Sequence, residues 1–306
     1  MRALAAAFTA AILGLWFGLA PAHAERLTDS PLVDPAWLAA NLDNPALVVV
    51  DVRDPINGVS AYDAGHVPGA VSAPYARRGW RDMVDGIPGM LPPVPTIADK
   101  IGKLGISTEA QVVILSDGAN STEFAKATRV YWTFRVLGHD AVTILDGGYR
   151  AWVAAGQPAT TASATPAPAT FTAILQPQLL ATLGEVRAAL DQPVNLLDGR
   201  SEALYRGREK SPVTRVAGTL PGAVNIPHPQ LYDGTRFASP DAVRALAKAA
   251  GIDGASPTIA FCNTGHWASI AWFALSEVGG FKDVAMFDGS MAEWTRDSAN
   301  PVAVMN

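Results

Sequence analysis

The sequence predicts an α/β protein built from two copies of one domain, each a parallel sheet with helices on its faces. Three observations carry this. The chain has 306 residues, more than one ordinary domain holds. Short apolar runs alternate with helical stretches: residues 112–115 precede 123–137, and residues 258–261 precede 268–278. Such alternation marks parallel strands joined by helices. Finally, three motifs recur in one order. Asp51-x-Arg53 returns as Asp198-x-Arg200, 147 positions on. Gly65-His66-Val67-Pro68-Gly69-Ala70-Val71 returns as Gly218-Thr219-Leu220-Pro221-Gly222-Ala223-Val224, 153 positions on. Leu145-Asp146-Gly147-Gly148, followed by Trp152, returns as Phe287-Asp288-Gly289-Ser290, followed by Trp294, 142 positions on. Constant order with drifting offsets indicates a duplicated domain with small insertions. Two units are too few for a solenoid, so two globular copies are expected.

Taken in order, residues 1–24 read as an export signal. Arg2 is a short positive start, residues 3–20 are uncharged and apolar, and Ala22-His23-Ala24 is a small-x-small cleavage site. An uncleaved anchor is the rival, but the run is rich in Ala and Gly and barely reaches spanning length. No Cys follows, which excludes a lipoprotein anchor. The mature chain would begin at Glu25, in the periplasm. The first domain then covers residues 25–156. It opens with Asp34 and Pro35 as a helix start, a helical stretch to residue 42, and an apolar strand, 47–50, ending at Asp51. Residues 157–170, rich in Pro, Ala and Thr without an apolar period, read as a linker. The second domain covers residues 171–306. It repeats the opening, with a helical stretch over 182–190 and a strand, 194–197, ending at Asp198.

Composition excludes several classes. Apolar residues make up 49% and charged residues 17%, which is not the balance of a disordered chain. A net charge of −5 argues against a basic nucleic-acid face. One cysteine permits neither an internal disulfide nor a Cys-rich zinc site. His66, His139, His228 and His266 are scattered without metal-ligand spacing. No Gly-rich phosphate loop precedes a lysine. No metal, cofactor or nucleic-acid partner is therefore expected.

The single thiol, Cys262, follows the strand-like run 258–261. Asn263-Thr264-Gly265-His266-Trp267 come next, and a helical run opens at Ala268. A thiol at a strand end, on a loop that opens a helix, faces backbone N–H groups that lack internal partners. A loop curling round the sulfur would aim donors at it and favour a thiolate or an added anionic sulfur. Gly265 allows the tight curl. A buried inert thiol is the plain alternative. In the first copy Asp117 is expected at the place of Cys262, so only the second copy should be active.

These residues resemble the tandem-domain rhodaneses, a sulfurtransferase family. The resemblance covers nearly all of the mature chain and rests on the repeated motifs and on Cys262 opening a six-residue loop. It implies a five-stranded parallel sheet in each domain, with helices on both sides, and an inactive first domain. It also implies a double displacement, in which sulfane sulfur moves from thiosulfate or 3-mercaptopyruvate through a Cys262 persulfide to cyanide or a thiol. Residues 263–267 would form the persulfide cradle. The loop fits neither donor subtype. It lacks the basic residues usual in thiosulfate-type loops, and Asn263 replaces the first Gly of the mercaptopyruvate-type loop. Compartment tips the expectation to thiosulfate. Arg200 is the first candidate to bind a dianionic donor. The family's next Arg position holds Leu204, for which Arg206, Arg208, Lys210 or Arg215 would compensate, unless they are solvated surface charges. His266 offers either a cation or a loop-stabilising hydrogen bond, and Trp267 a cleft wall. His66 belongs to a chiefly structural motif, and the basic stretch Arg77-Arg78-Gly79-Trp80-Arg81 is a candidate lining for an interdomain cleft.

Two rivals remain. Phosphatase or arsenate-reductase chemistry would need Arg at the sixth position after the thiol, which is Ala268. A sulfane-sulfur carrier or anion-binding module would use the same loop without turnover.

Overall fold

A computed structural model describes residues 26–305; the signal segment expected at residues 1–24 lies outside them. The first half contains β1 (Leu32–Val33), α1 (Pro35–Asn41), β2 (Leu47–Asp51), β3 (Val71–Ser72), β4 (Asp82–Val84), β5 (Ile87–Met90), α2 (Val94–Gly102), β6 (Gln111–Leu115), α3 (Ser121–Val136), β7 (Val142–Leu145) and α4 (Gly148–Ala154). The second half contains β8 (Leu180–Ala181), α5 (Leu183–Ala189), β9 (Asn195–Asp198), α6 (Glu202–Tyr205), β10 (Val224–Asn225), α7 (Pro240–Ala249), β11 (Thr258–Phe261), α8 (His266–Phe273), β12 (Val284–Phe287) and α9 (Ser290–Trp294).

Each half forms a five-stranded, all-parallel sheet, in the order β1-β7-β6-β2-β3 and β8-β12-β11-β9-β10. The order is the same in both, as a duplication requires. β6 is buried at every residue, which is why its sequence is an unbroken run rather than an alternation. Its two faces still divide the core. Val113 and Leu115 pack with Leu38 of α1 and Trp152 of α4, while Val112 and Ile114 join the residues of α2 and α3. In the second half Ile259 and Phe261 pack with α5 and α9, and Ala260 with α7 and α8. The faces carrying α3 and α8 share one hydrophobic cluster, so the halves are joined by a common core. At its centre Thr128 of α3 and Ser269 of α8 share a hydrogen bond of 2.8 Å.

The Asp-x-Arg repeat is a structural clasp. Arg53 Nε and Nη2 donate to the Asp51 carboxylate, and Nη2 also donates to Gly65 O at 2.8 Å. Arg200 does the same with Asp198 and with Gly218 O, also at 2.8 Å. The clasp ties the end of a central strand to the Gly-rich loop that leads into the edge strand. Residues 157–170 carry little regular structure, yet they are stitched to the first domain. Thr160 and His66 exchange backbone hydrogen bonds of 2.9 Å, and Ala169 N donates to Gly102 O at 2.9 Å. His66 is fully buried, with its ring stacked on Tyr62 and its nitrogens against the carbonyls of Tyr62 and Ala162. Its role is to hold the first domain together.

Candidate active site

Cys262 lies one residue beyond β11, at the carboxyl end of a central strand, and is 1% exposed. Open α/β sheets place their sites at that end. The loop that follows is defined by where its four carbonyls go. Cys262 O accepts from Met291 N at 3.1 Å and Asn263 O from Ala292 N at 2.9 Å, both at the start of α9. Thr264 O accepts from Arg81 Nη2 at 2.8 Å, and Gly265 O from Arg129 Nη1 at 3.3 Å. Both arginines belong to the first domain. In a planar trans peptide the N–H points opposite the C=O. With four successive carbonyls held outward, the following amides turn to the other side. Among the described residues no acceptor meets the amides of Asn263, Thr264 or His266. These are the donors that a cradle for an anionic sulfur needs.

The fourth amide has a different partner. Ser290 Oγ accepts from Gly265 N at 3.2 Å and from Cys262 N at 3.0 Å, while donating to Phe287 O at 2.8 Å. A single buried hydroxyl thus closes the two ends of the turn. Gly265 has φ +73°, the left-handed region, and a Cβ there would collide with Arg129 and Asp288. These two residues form a buried interdomain ion pair, and Asp288 Oδ2 also accepts from Leu91 N.

His266 is neutral. Burial, and then the nearby charge of Arg81, push it down to about 3. Its Nε2 donates to Thr122 O at 3.1 Å, and its Nδ1 accepts from the Tyr75 hydroxyl at 2.9 Å. Of the two roles expected for His266, the structure selects the loop-stabilising hydrogen bond over the cation. Trp267 Nε1 donates to Thr122 Oγ1 at 3.2 Å, and the ring stacks on His228 with 4.5 Å between centroids. His228 is held near 4 by burial, so it is neutral as well.

The basic residues sort differently from expectation. Arg200 is 2% exposed, and its fork is committed to Asp198 and Gly218. Only Nη1 reaches the loop, 3.4 Å from Asn263 Oδ1, so its place is beneath the loop rather than on an open wall. Arg208 is exposed on the segment after α6. Arg206 pairs with Glu202, and Lys210 donates to Thr214 O. Of the Arg77-Arg78-Arg81 group, only Arg81 meets the thiol loop; Arg78 turns to Lys100 O.

The counterpart of Cys262 needs correcting. Leu115 pairs with Asp51 as Phe261 pairs with Asp198, so the next residue, Ser116, occupies the thiol's position. Tyr149 N donates to Ser116 O just as Met291 N donates to Cys262 O. Asp117, expected there, is the counterpart of Asn263, one residue on. The counterpart of Ser290 is Gly148, where a Cβ would strike Ser116 O and the backbone at Asp117. The first loop has closed into the space that Ser290 occupies in the second. Sequence reasoning did not single out Ser290, Arg129, Tyr75 or Thr122. The Gly148/Ser290 difference between otherwise matching motifs was a signal for the first; the others are far from the loop in sequence.

Comparison with known proteins agrees with this geometry. The family described as Rhodanese-like domain matches twice, at residues 34–155 and 182–297. A thiosulfate sulfurtransferase of Cricetulus griseus is 35% identical over 279 residues, covering 86% of this chain and 91% of that protein. A probable 3-mercaptopyruvate sulfurtransferase of Pseudomonas aeruginosa is 33% identical over 290 residues, covering 90% of this chain and 99% of that protein. Among solved structures, the 3-mercaptopyruvate sulfotransferase SseA from Escherichia coli shares the fold with a TM-score of 0.74 at 24% identity, covering 85% of this chain and 98% of that one.

Proposed function

The chain belongs to the rhodanese family, and from that premise we propose that it is a sulfurtransferase working through a Cys262 persulfide. The observation that carries the reading is the run of four outward-held carbonyls after a thiol at the strand end, with three amides left free to receive an anionic sulfur. The Cys262 thiolate attacks the outer sulfur of thiosulfate. The S–S bond of the donor breaks, sulfite leaves with the electron pair, and Cys262 carries an anionic persulfide sulfur. Cyanide or a thiolate then attacks that terminal sulfur, and the Cys262 thiolate returns. With 3-mercaptopyruvate the C–S bond breaks instead, and the departing carbon takes up a proton to give pyruvate.

In this reading residues 263–267 are the cradle. Arg200 fixes Asn263 from below, and Arg208, exposed on the loop beyond β9, contacts the donor's anionic end. Relatives bear the names of both donors, and thiosulfate is favoured here for the compartment implied by the export-type segment at residues 1–24. Amino-terminal sequencing of the exported protein, expected to begin at Glu25, tests the periplasmic address.

The deciding assay is thiocyanate formation from cyanide, with thiosulfate and 3-mercaptopyruvate run in parallel and Cys262→Ser as control. Cys262-dependent turnover is expected, faster with thiosulfate. Stoichiometric sulfur loading of Cys262 without thiocyanate would overturn turnover and leave a sulfane-sulfur carrier.

A further inference from the structure

The domain without the thiol reaches into the thiol's loop. Two of the four carbonyl ties come from it, through Arg81 and Arg129. The reverse contact exists as well. Gly118 O, the counterpart of Thr264 O, accepts from Tyr232 Oη of the second domain at 2.8 Å. The matching aspartates are also capped reciprocally, Asp288 by Leu91 N and Asp146 by Phe237 N. The two domains therefore clasp each other's loops about a pseudo-twofold axis. The clasp is unequal in one respect: the donor on the thiol side is a guanidinium, and the donor on the other side is a neutral phenol.

Arg129 is neutralised by Asp288. Arg81 is not neutralised. Its Nε donates to Gly89 O at 2.9 Å, Nη1 to Tyr75 Oη at 3.3 Å and Nη2 to Thr264 O at 2.8 Å, all uncharged partners. No carboxylate pairs with it among the described residues. An unpaired cation in a partly buried setting acts over several ångströms with little screening. Residues 263–267 carry no Lys or Arg, and both nearby histidines are neutral. The unpaired positive charge bonded to the loop comes from the other domain.

We propose that Arg81 of the first domain is a positioning residue for the thiol's loop: it holds the Thr264 carbonyl outward and places an unpaired positive charge beside the loop on which the anionic persulfide sulfur forms. This rests on the sulfurtransferase reading for its purpose but not for its test. The first domain then supplies half of the loop's carbonyl ties, although it carries no thiol of its own. Tyr75 links the same guanidinium to His266, so one side chain steadies both ends of the peptide pair 264–266.

The test compares Arg81→Gln, Arg81→Lys and Arg77→Gln in the full chain. Arg77 is exposed and does not meet the loop. The first readout is the rate of Cys262 alkylation by iodoacetamide against pH, which needs no sulfur donor. The second is kcat for thiocyanate formation. Arg81→Gln should slow Cys262 alkylation severalfold at neutral pH, because the loop loses the unpaired guanidinium bonded to it. It should also lower kcat about tenfold, less than the roughly 100- to 1,000-fold loss of a donor that touches the developing charge itself, since Arg81 acts through Thr264. Arg81→Lys keeps the charge but not the fork, so its alkylation profile should stay near the wild type while kcat falls. Arg77→Gln should match the wild type. A wild-type alkylation profile in folded Arg81→Gln overturns the proposal, as does an Arg81→Lys profile displaced as far as that of Arg81→Gln. If the wild type alkylates readily but forms no thiocyanate, the sulfurtransferase reading fails while the Arg81 comparison still stands.

Discussion

The Ser290 hydroxyl sits 3.0 Å from the amide nitrogen of Cys262 and accepts its hydrogen bond, joining the start of α9 to the first residue beyond β11. The same oxygen accepts the Gly265 amide at 3.2 Å. One side chain therefore fixes both the thiol's own backbone and the turn that opposes it.

Ser290→Ala leaves two buried amides without an acceptor. An orphaned buried donor costs about 1–3 kcal/mol. The substitution should lower the urea midpoint and reduce kcat more than it raises KM, because the cradle loosens where the anionic sulfur forms. An unchanged kcat in Ser290→Ala would show that the hydroxyl is not needed to shape the loop.

A thiol placed in the first domain should not make that domain active. Ser116→Cys in a Cys262→Ser background places sulfur at the equivalent strand end, but Gly148 supplies no hydroxyl and the loop has closed against it. No thiocyanate formation is expected. Asp117→Ala removes only a surface pair with Arg150, which is 65% exposed, so it should cost under about 1 kcal/mol and leave turnover intact.

The interdomain ion pair should be a sensitive point. Arg129→Met strands the Asp288 carboxylate in the interface, and breaking a buried pair from one side costs about 3–5 kcal/mol. The urea midpoint should drop sharply, and activity should be lost with it. Replacing both partners with apolar residues should recover much of the stability without the activity, since Gly265 O loses its donor.

Stability should fall on mild acidification. His228 and His266 are held near 4 and near 3 by burial, against an unfolded value of about 6.5. Below about pH 6.5 the unfolded chain takes up protons that the folded one refuses, so unfolding gains with each step down. The contribution is at most about 1.4 kcal/mol per pH unit for each histidine. Above pH 6.5 both states are neutral and the effect vanishes. Half-buried Asp146 and Glu293, whose acidity is weakened by partial burial, oppose it only near the carboxylate range. Urea midpoints at pH 7.0 and 5.5 should therefore differ, and His228→Asn should narrow the gap. Equal midpoints in the wild type would contradict this account of the two rings.

Much of the fold was legible because duplication prints itself twice. Matching Asp-x-Arg, Gly-x-x-Pro-Gly-Ala and Asp-Gly motifs mark strand ends and edge loops, and parallel strands buried on both faces leave continuous apolar runs such as β6. The thiol's place at a strand end could be read from those runs. The role of Arg200 could not. Its spacing from Asp198 looks the same whether the guanidinium faces a substrate or closes on its own carboxylate, and only packing against Gly218 shows the second. The off-by-one at Asp117 has a similar cause, because strand register is a pairing relation that neither loop states alone.

The sequence by itself determined the two-domain α/β architecture, the absence of a thiol from the first copy and the single thiol on its loop in the second. These follow from local periodicity and from residue identity. Tertiary structure alone decided what shapes that loop. Arg81, Arg129, Tyr75 and Thr122 lie more than a hundred residues from Cys262 and meet its loop only because α3 packs on α8 and brings the two domains' loops together. The physical reason is the geometry of the peptide. Amides can turn inward only if the carbonyls of the same peptides find donors on the other side, and two of the loop's four carbonyl donors are held by the other domain.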